Sequence, residues 1–185
     1  MSGFSLSSEP FTLERDCQAV MVPQGETVSL PAGQIGYITQ ALGGSFTVYV
    51  EGNLFRIAGN DADALGKEPP PPIELSSDAT DADVEALVWQ QLRTVFDPEI
   101  PINVVELGLV YDVTIEPLGS EQRKVYVKMT LTAPGCGMGD ILVDDVRTKL
   151  ELIPTVGEAD VDLVFDPPWN HSMMSDAAKL ETGML

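Results

Sequence analysis

Hydrophobic residues recur at helical spacing early in the second half of the chain. Apolar side chains lie three or four positions apart at Val84, Leu87, Val88, Leu92 and Val95. Thr80 stands three positions before Asp83, which is the spacing of a helix capping box, and Pro98 interrupts the pattern. The sequence therefore predicts an amphipathic helix that begins after Thr80 and ends before Pro98.

Further patterns predict three strands and two more helices. Apolar and polar residues alternate over 109–116 and 125–131, which is typical of half-buried strands. Helical spacing returns over Asp140–Leu150, and alternation returns over Val161–Phe165 before a short closing helix near Ser172–Leu180. This order of helices and strands predicts an α+β fold in which helices cover one face of a small mixed sheet.

The first 66 residues follow a different pattern. Turn-forming pairs recur at short intervals, at Gln24-Gly25, Ala32-Gly33, Gly43-Gly44, Gly52-Asn53 and Gly59-Asn60. Short runs of β-branched and aromatic residues separate these pairs, and helical spacing is absent. Residues 1–66 are therefore predicted to form a small antiparallel β domain with Gly52-Asn53 as a two-residue hairpin loop. We interpret this domain as a structural or partner-docking unit.

Four successive prolines, Pro69–Pro72, separate the two patterns. Proline fixes φ and lacks a backbone donor, so the run favours an extended polyproline II spacer over a helix or a sheet. We predict a linker over residues 67–77 and place the α+β domain over residues 78–185.

The charge balance narrows the range of partners. The chain carries 10 Lys and Arg residues against 29 Asp and Glu residues, a formal net charge of −19. Because Lys and Arg neutralise phosphate backbones, this balance argues against nucleic acid, and it also disfavours an anionic membrane surface. With 44% hydrophobic and 21% charged residues, the chain has the material for a sizeable core, so we expect it to fold.

The number of cysteines and the length of the apolar runs indicate where in the cell the chain is expected. Cys17 and Cys136 are too few for a disulfide framework, which favours a reducing environment. The first 17 residues lack the pattern of a secretory signal, and no later run approaches the roughly 20 apolar residues that a membrane span needs. The sequence therefore predicts a cytoplasmic protein.

Cys136 is the most informative candidate for chemistry. The segment Leu131–Asp140 leaves a predicted strand, turns and enters a predicted helix. Cys136 is thus predicted at or just before a helix N-terminus, where unpaired N–H groups and the helix dipole favour the thiolate. Gly135 and Gly137 leave the sulfur approachable. The alternative is that Cys136 is a small buried hydrophobic residue.

A second candidate is the acidic loop that follows the first helix. Pro98 and Pro101 stiffen this loop and restrict Asp97 and Glu99, which could supply oxygen ligands or a general base. The alternative is that both acids are solvated turn residues. A helix C-terminus disfavours anions, so acids held there indicate either chance or a cation.

The only histidine, His171, follows a rigid loop that contains two prolines and Trp169. His171 could act as a metal ligand or an acid–base group, or it could be structural. The chain has too few Cys and His residues for a zinc site, and its glycine run lacks the Lys-Ser/Thr of a phosphate loop. A nucleophile–base pair of Cys136 and His171 stays open.

Four segments resemble the SufT family of iron-sulfur cluster assembly proteins. They are Asp97–Pro101, Asn103–Tyr111, Thr130–Gly139 and Phe165–Trp169. The resemblance spans 78–185 strongly and 16–66 with less distinctive motifs. It implies the small α+β iron-sulfur assembly domain with an N-terminal extension, and a non-catalytic, auxiliary role in maturing iron-sulfur proteins.

The resemblance also implies a functional residue, Cys136, and it places the family's Asp-Pro-Glu loop on 97–99. We expect transient contact of Cys136 with iron or an iron-sulfur cluster, with Asp97 and Glu99 as further candidate ligands. The residues expected to contact partners are Pro98, Pro101, Gly135, Gly137 and Trp169. If these segments form one site, Cys136 and the 97–101 loop lie at the same edge of the sheet.

The ligand count limits how a cluster could be held. Iron-sulfur clusters usually take four ligands, and two cysteines in separate domains cannot supply them. The site would be completed by a second subunit, a partner, a small thiol or oxygen ligands, which suits transfer better than storage. The expected partners are the iron-sulfur assembly machinery and client apoproteins, and a homodimer is an option. The alternative functions are a cysteine-dependent enzyme, an accessory subunit of an oxygenase complex, and a scaffold with a buried cysteine.

Overall fold

The computed structural model describes residues 8–22, 24–42, 45–97, 100–133, 137 and 139–184. The chain divides into two compact units, Met1–Pro71 and Pro72–Leu185. The division falls inside the run of four prolines.

Within the described residues of the first unit, six strands form one antiparallel sheet in the order β1-β4-β5-β6-β2-β3. The strands are β1 Glu9–Thr12, β2 Cys17–Val22, β3 Thr27–Leu30, β4 Ile35–Leu42, β5 Ser45–Val50 and β6 Asn53–Ile57. One face of the sheet builds a core from alternate apolar residues, which include Phe11, Ile38, Val48, Val50 and Phe55. The β-rich N-terminal unit is as predicted.

The hairpin loop between β5 and β6 differs from the prediction by one residue. Val50 pairs with Asn53, so the loop is Glu51 and Gly52, with φ of 48° and 88°. The predicted loop Gly52-Asn53 is therefore wrong. Strand register decides this point, because a slip of one residue would turn the buried side chains of Val50 and Phe55 towards solvent.

A 3-10 helix, Gly59–Leu65, follows β6 and was missed by the pattern of helical spacing. The segment consists of two short 3-10 turns joined across a kink at Asp61, and such turns show no period of 3.6 residues. Arg15 holds the helix through ion pairs with Asp61 at 2.9 Å and with Asp63 at 2.7 Å. These contacts attach it to the connection between β1 and β2.

In the described part of the second unit, three strands form a mixed sheet in the order β7-β8-β9, with β7 antiparallel and β9 parallel to the central strand. Its elements are α1 Asp81–Leu92, β7 Val110–Leu118, β8 Gln122–Met129, α2 Gly139–Glu151, β9 Val156–Leu163, a 3-10 helix His171–Met173 and α3 Asp176–Glu181. The parallel pair β8 and β9 is joined through α2, as parallel strands require a crossover. The predicted α+β class is confirmed.

The start of α1 matches the prediction closely. The Thr80 side chain accepts a hydrogen bond from the Asp83 N–H, and Asp83 accepts one from the Thr80 N–H at 2.8 Å. This is the capping box that the spacing indicated. The helix then buries Val84, Val88 and Leu92.

Several elements differ from the prediction in their bounds: α1 ends at Leu92, before Val95, and β8 spans Gln122–Met129 rather than 125–131. The third strand begins at Val156, five positions before the predicted start, and ends at Leu163, so Phe165 lies beyond it. Its extent follows β8, its parallel partner, and Gly157 breaks the apolar alternation near its start. The closing helix is interrupted, because Ser175 caps a new helix through the Ala178 N–H at 3.1 Å.

One core joins the helices to one face of the sheet. It contains Val84, Val88 and Leu92 of α1, Val125, Val127 and Met129 of β8, and Leu142, Val146 and Leu150 of α2. Tyr126 and Lys128 alternate with the buried residues of β8 and are exposed. The helices therefore cover one face and leave the other to solvent.

Candidate functional site

Two of the four sequence motifs leave the sheet at the carboxyl ends of β8 and β9. Met129 pairs with Leu163, and the Met129 carbonyl also accepts a hydrogen bond from the Val164 N–H at 2.8 Å. The β7 strand starts at the same edge, because Val110 pairs with Met129. The Thr130–Gly139 and Phe165–Trp169 segments therefore begin side by side.

Backbone hydrogen bonds connect the acidic loop to this edge. The Val104 N–H donates to the Val95 carbonyl at 2.9 Å, and the Leu109 N–H donates to the Val104 carbonyl at 3.0 Å. The Thr130 N–H then donates to the Leu109 carbonyl at 2.8 Å. These three backbone hydrogen bonds thus link the region around Asp97 to Thr130, the first residue of the segment that contains Cys136.

Cys136 lies outside the described residues, as do Gly135, Pro98 and Glu99. The expectation that Cys136 and the acidic loop share one edge of the sheet therefore stays a prediction. The residues on either side of the cysteine segment are described. Ala133 and Gly137 are exposed, and a Cβ atom placed on Gly137 would meet none of the described residues within 4 Å.

Helix α2 begins at the same edge. A Cβ atom on its first residue, Gly139, would lie 3.0 Å from a methyl carbon of Leu131 and 3.5 Å from one of Leu163. A glycine there lets the helix start close to the ends of both strands. The predicted order of a strand before Cys136 and a helix after it is found, since β8 ends at Met129 and α2 starts at Gly139, three positions after Cys136.

Asp97 is buried, with 7% of its surface exposed. Its Oδ1 atom accepts a hydrogen bond from the Ile100 N–H at 2.9 Å, and its own N–H donates to the Ile102 carbonyl at 3.1 Å. The alternative of a solvated turn acid is therefore wrong for Asp97. The Asp97 side chain shapes the loop through its bond to the Ile100 N–H, whereas Pro101 of the same loop is exposed.

Asn103 and Gly108 shape the turn between α1 and β7, and the sequence interpretation gave neither a role. The Asn103 Oδ1 atom accepts hydrogen bonds from Val105 N–H at 3.1 Å and Glu106 N–H at 3.0 Å. Gly108 has φ of 75°, and a Cβ atom there would lie 2.2 Å from the Met173 carbonyl oxygen. An Asn and a Gly within one short motif are the signal that could have revealed this turn.

Trp169 ties the segment after β9 to that turn. Its indole Nε1–H donates to the Leu107 carbonyl at 2.7 Å, and its ring packs against the core. The Tyr111 hydroxyl donates to the Pro167 carbonyl at 2.7 Å, which holds the same segment against β7. Trp169 thus has a structural role besides any contact with a partner.

His171 is exposed, and its ring centroid lies 5.0 Å from that of Trp169. Within the described ranges, no group of three or more His, Cys, Asp or Glu residues is arranged to hold a metal ion.

None of the helices in those ranges has the length and apolar character needed to cross a membrane.

Thr130 is a further residue of interest that the sequence interpretation missed. It is fully buried at the end of β8, and its hydroxyl has no hydrogen-bond partner in the part of the chain that the structure describes. A buried hydroxyl without a partner is costly. Nothing in the sequence distinguishes this threonine from the exposed ones, because its burial depends on the packing around the strand end.

The two cysteines differ in environment. Cys17 is buried at the start of β2, and this burial raises the pKa of its thiol, with nearby Asp61 acting in the same direction. A neutral buried thiol is a poor nucleophile and a poor ligand. Cys136 is therefore the better candidate for chemistry.

Comparisons with known proteins agree on one family. A family model described as "Iron-sulfur cluster assembly protein" matches residues 85–161. An Fe-S protein maturation auxiliary factor of Porphyromonas gingivalis is 49% identical over 98 residues, which cover 53% of this chain and 90% of the relative. The Fe-S protein maturation auxiliary factor SufT of Staphylococcus aureus is 43% identical over 90 residues, covering 49% and 98%.

Solved structures extend the likeness to the fold. The crystal structure of a domain of unknown function from Bacillus anthracis has 36% sequence identity and a TM-score of 0.50. The match covers 56% of this chain and 95% of that domain. These matches therefore cover about half of this chain and nearly the full length of each relative.

Proposed function

Because this chain belongs to the iron-sulfur cluster assembly protein family, we propose that it acts as an auxiliary factor in the maturation of iron-sulfur proteins. Its role is non-catalytic: it assists the passage of iron or a cluster to client apoproteins. The names of the relatives from Porphyromonas gingivalis and Staphylococcus aureus support this proposal. The cargo reaches the chain from the assembly machinery and leaves it again.

We propose that Cys136 is the residue that contacts the cargo or the partner. The observation that carries this proposal is the exposure of Ala133 and Gly137 on either side of the cysteine segment. Because the chain is at the surface at both of these positions, their exposure supports access to Cys136, which lies between them in sequence. The start of α2 at Gly139 supports a thiolate nearby, since a helix N-terminus favours anions.

We propose Asp97 and Glu99 as oxygen ligands that supplement Cys136. For Asp97, this role is supported by its burial and by its hydrogen bond from the Ile100 N–H. Both keep the carboxylate in place. A hard oxygen ligand suits iron held transiently, and few ligands from one chain favour release. The remaining ligands would come from the partner or from a small thiol.

Partner contact is proposed at the residues around these two loops, namely Pro98, Pro101, Gly135, Gly137 and Trp169. Pro101 and Gly137 are exposed, which supports direct contact. Trp169 contributes by anchoring its loop, because its indole N–H is engaged with Leu107. A homodimer would bring two copies of Cys136 to one cargo, and it stays a prediction, as does the cytoplasmic location.

The test compares cysteine variants in anaerobic cluster transfer. Wild-type protein is incubated with ferrous iron and sulfide, and bound iron, bound sulfide and transfer to an apo-ferredoxin are measured. We expect Cys136→Ser to lose the bound iron and the transfer, whereas the matched control Cys17→Ser keeps both. Equal transfer by wild type and Cys136→Ser would refute the role of Cys136.

The alternative of a cysteine-dependent enzyme predicts covalent turnover by the isolated protein. Trapping of a Cys136 adduct with an electrophilic substrate, and its loss in His171→Ala, would favour that alternative. The contact of the His171 ring with Trp169 explains its placement without such a role.

A further inference from the structure

The family model matches residues 85–161, so the first unit lies outside the matched region. This unit carries a line of apolar residues across its sheet. Pro10 of β1 pairs with Tyr37 of β4. Tyr37 in turn pairs with Tyr49 of β5, and Tyr49 pairs with Leu54 of β6. Directly paired residues point to the same face of a sheet, so these four residues form one line across four strands. We call this line the aromatic row.

The large side chains of the aromatic row face solvent. The exposed fractions are 50% for Tyr37, 44% for Tyr49 and 39% for Leu54. Ile35 lies two positions before Tyr37, hence on the same face, and is 68% exposed. Single exposed apolar residues are ordinary, but several adjacent ones on one face mark an interaction surface.

A groove of about 700 Å³ follows part of the aromatic row. Its lining includes Pro10, Ile35, Tyr37, Tyr49 and Glu51. The groove thus combines apolar ring faces, two phenolic hydroxyls and one carboxylate. Tyrosine has an apolar body and a polar tip, which is the combination found where a ligand offers both apolar surface and hydrogen-bond acceptors.

The net charge of the first unit, together with Glu51 in the groove lining, favours a basic partner. Residues 1–71 contain 3 basic and 8 acidic residues, and 3 − 8 = −5. Arg15 and Lys67 form ion pairs within the unit, and Arg56 donates to the Ser45 hydroxyl. A second copy of this chain would bring the same acidic surface against the groove, whereas a basic partner would be attracted.

We propose that the aromatic row binds a proline-rich segment of a partner protein that carries a Lys or Arg beside its prolines. Proline rings pack against aromatic faces, and a polyproline II helix keeps its carbonyl groups free to accept hydrogen bonds. The hydroxyls of Tyr37 and Tyr49 supply donors, and Glu51 supplies the partner for the cation. This site gives the N-terminal unit a docking function that is independent of the cysteine loop.

The spacing of the row fits this ligand. One turn of polyproline II spans three residues, or about 9.3 Å. Two strand spacings in a sheet amount to about 9.6 Å, so prolines three apart would contact every second strand of the row. Tyr37 and Tyr49 lie on adjacent strands, so prolines three apart would contact one tyrosine together with the residue two strands from it, which is Leu54 for Tyr37 and Pro10 for Tyr49.

The test uses the full chain and a fluorescein-labelled peptide of two lysines followed by eight prolines. Fluorescence anisotropy measures its dissociation constant at low and at physiological salt. Control peptides replace the lysines with glutamates, or the prolines with alanines. The variants are Tyr37→Ala, Tyr49→Ala and Glu51→Gln, and the matched control is Tyr126→Ala, an exposed tyrosine of the second unit. Circular dichroism confirms that each variant is folded.

We expect Tyr37→Ala and Tyr49→Ala each to weaken binding of the lysine–proline peptide about tenfold, and Tyr126→Ala to leave it unchanged. Glu51→Gln should reduce the preference for lysine over glutamate at low salt. Four results would overturn the proposal. They are no saturable binding at millimolar peptide, equal binding of the alanine peptide, unchanged binding by Tyr49→Ala, and self-association of the chain that Tyr49→Ala abolishes in sedimentation. Because Cys136 is not part of this site, Cys136→Ser should bind the peptide as wild type does.

Discussion

Trp169 donates its indole N–H to the backbone carbonyl of Leu107 at 2.7 Å. The two residues belong to different sequence motifs, and this bond holds the segment after β9 against the turn before β7. The same edge of the sheet receives the segment that leads to Cys136, through the bond between Thr130 N–H and the Leu109 carbonyl. Motifs that are far apart in sequence thus converge on one edge.

Replacing Trp169 with phenylalanine keeps most of the ring and removes the bond to Leu107. We expect Trp169→Phe to lower the free energy of unfolding by about 1–2 kcal/mol, because the Leu107 carbonyl loses its donor. Urea denaturation followed by circular dichroism measures this change. The control Phe165→Leu alters an exposed aromatic residue of the same segment and should shift stability by less than about 0.5 kcal/mol. Equal effects of the two substitutions would show that the indole bond contributes nothing.

Gly108 and Gly119 both have φ near +70°, at 75° and 71°, yet they differ in surroundings. A Cβ atom on Gly108 would collide with the Met173 carbonyl, whereas one on Gly119 would meet nothing within 4 Å. We expect Gly119→Ala to cost about 1 kcal/mol for the left-handed backbone alone, and Gly108→Ala to cost at least about 2 kcal/mol more. Thermal or urea unfolding of both variants measures the difference. Similar costs would mean that the close contact with Met173 is relaxed in solution.

Two substitutions of Asp97 separate the shaping of its loop from ligation. Asparagine keeps an oxygen that can accept from the Ile100 N–H, whereas alanine leaves this donor without that partner. We expect Asp97→Asn to retain most of the stability and Asp97→Ala to lose about 1–2 kcal/mol in urea unfolding. If Asp97 is also an oxygen ligand, Asp97→Asn should bind less iron in the anaerobic assay despite its stable fold. Normal iron binding by Asp97→Asn would show that Asp97 shapes the loop and is not a ligand of iron.

Much of the fold could be predicted from local pattern, but the site could only be predicted in part. The helix after Thr80 was predictable because its capping box and its apolar spacing involve neighbours in sequence. The burial of Asp97 and Thr130 could not be predicted from local pattern, because it depends on segments that only the folded sheet brings together. The turn-forming pair Gly52-Asn53 predicts the hairpin loop one residue later than it lies, since pairing across the strands decides its register.

The surroundings of the two thiols predict different reactivity. Burial raises the pKa of the Cys17 thiol, so this thiol stays protonated to a higher pH and is shielded from reagents. We expect iodoacetamide at neutral pH to modify one thiol per native chain, at Cys136, and both thiols after denaturation, as counted by mass spectrometry. Any stability that neutral Cys17 contributes is present below the ordinary thiol pKa and declines as the pH rises through the raised value. Protection of Cys136 in the native chain would contradict its proposed accessibility.

The activity of a client iron-sulfur enzyme in living cells tests the role of Cys136 most directly. Cells that depend on this chain would carry wild type, Cys136→Ser or Cys17→Ser at equal protein levels. We predict that Cys136→Ser lowers the client activity to that of cells without the chain, whereas Cys17→Ser preserves it. Full client activity with Cys136→Ser would contradict the proposal that this thiol handles iron or a cluster.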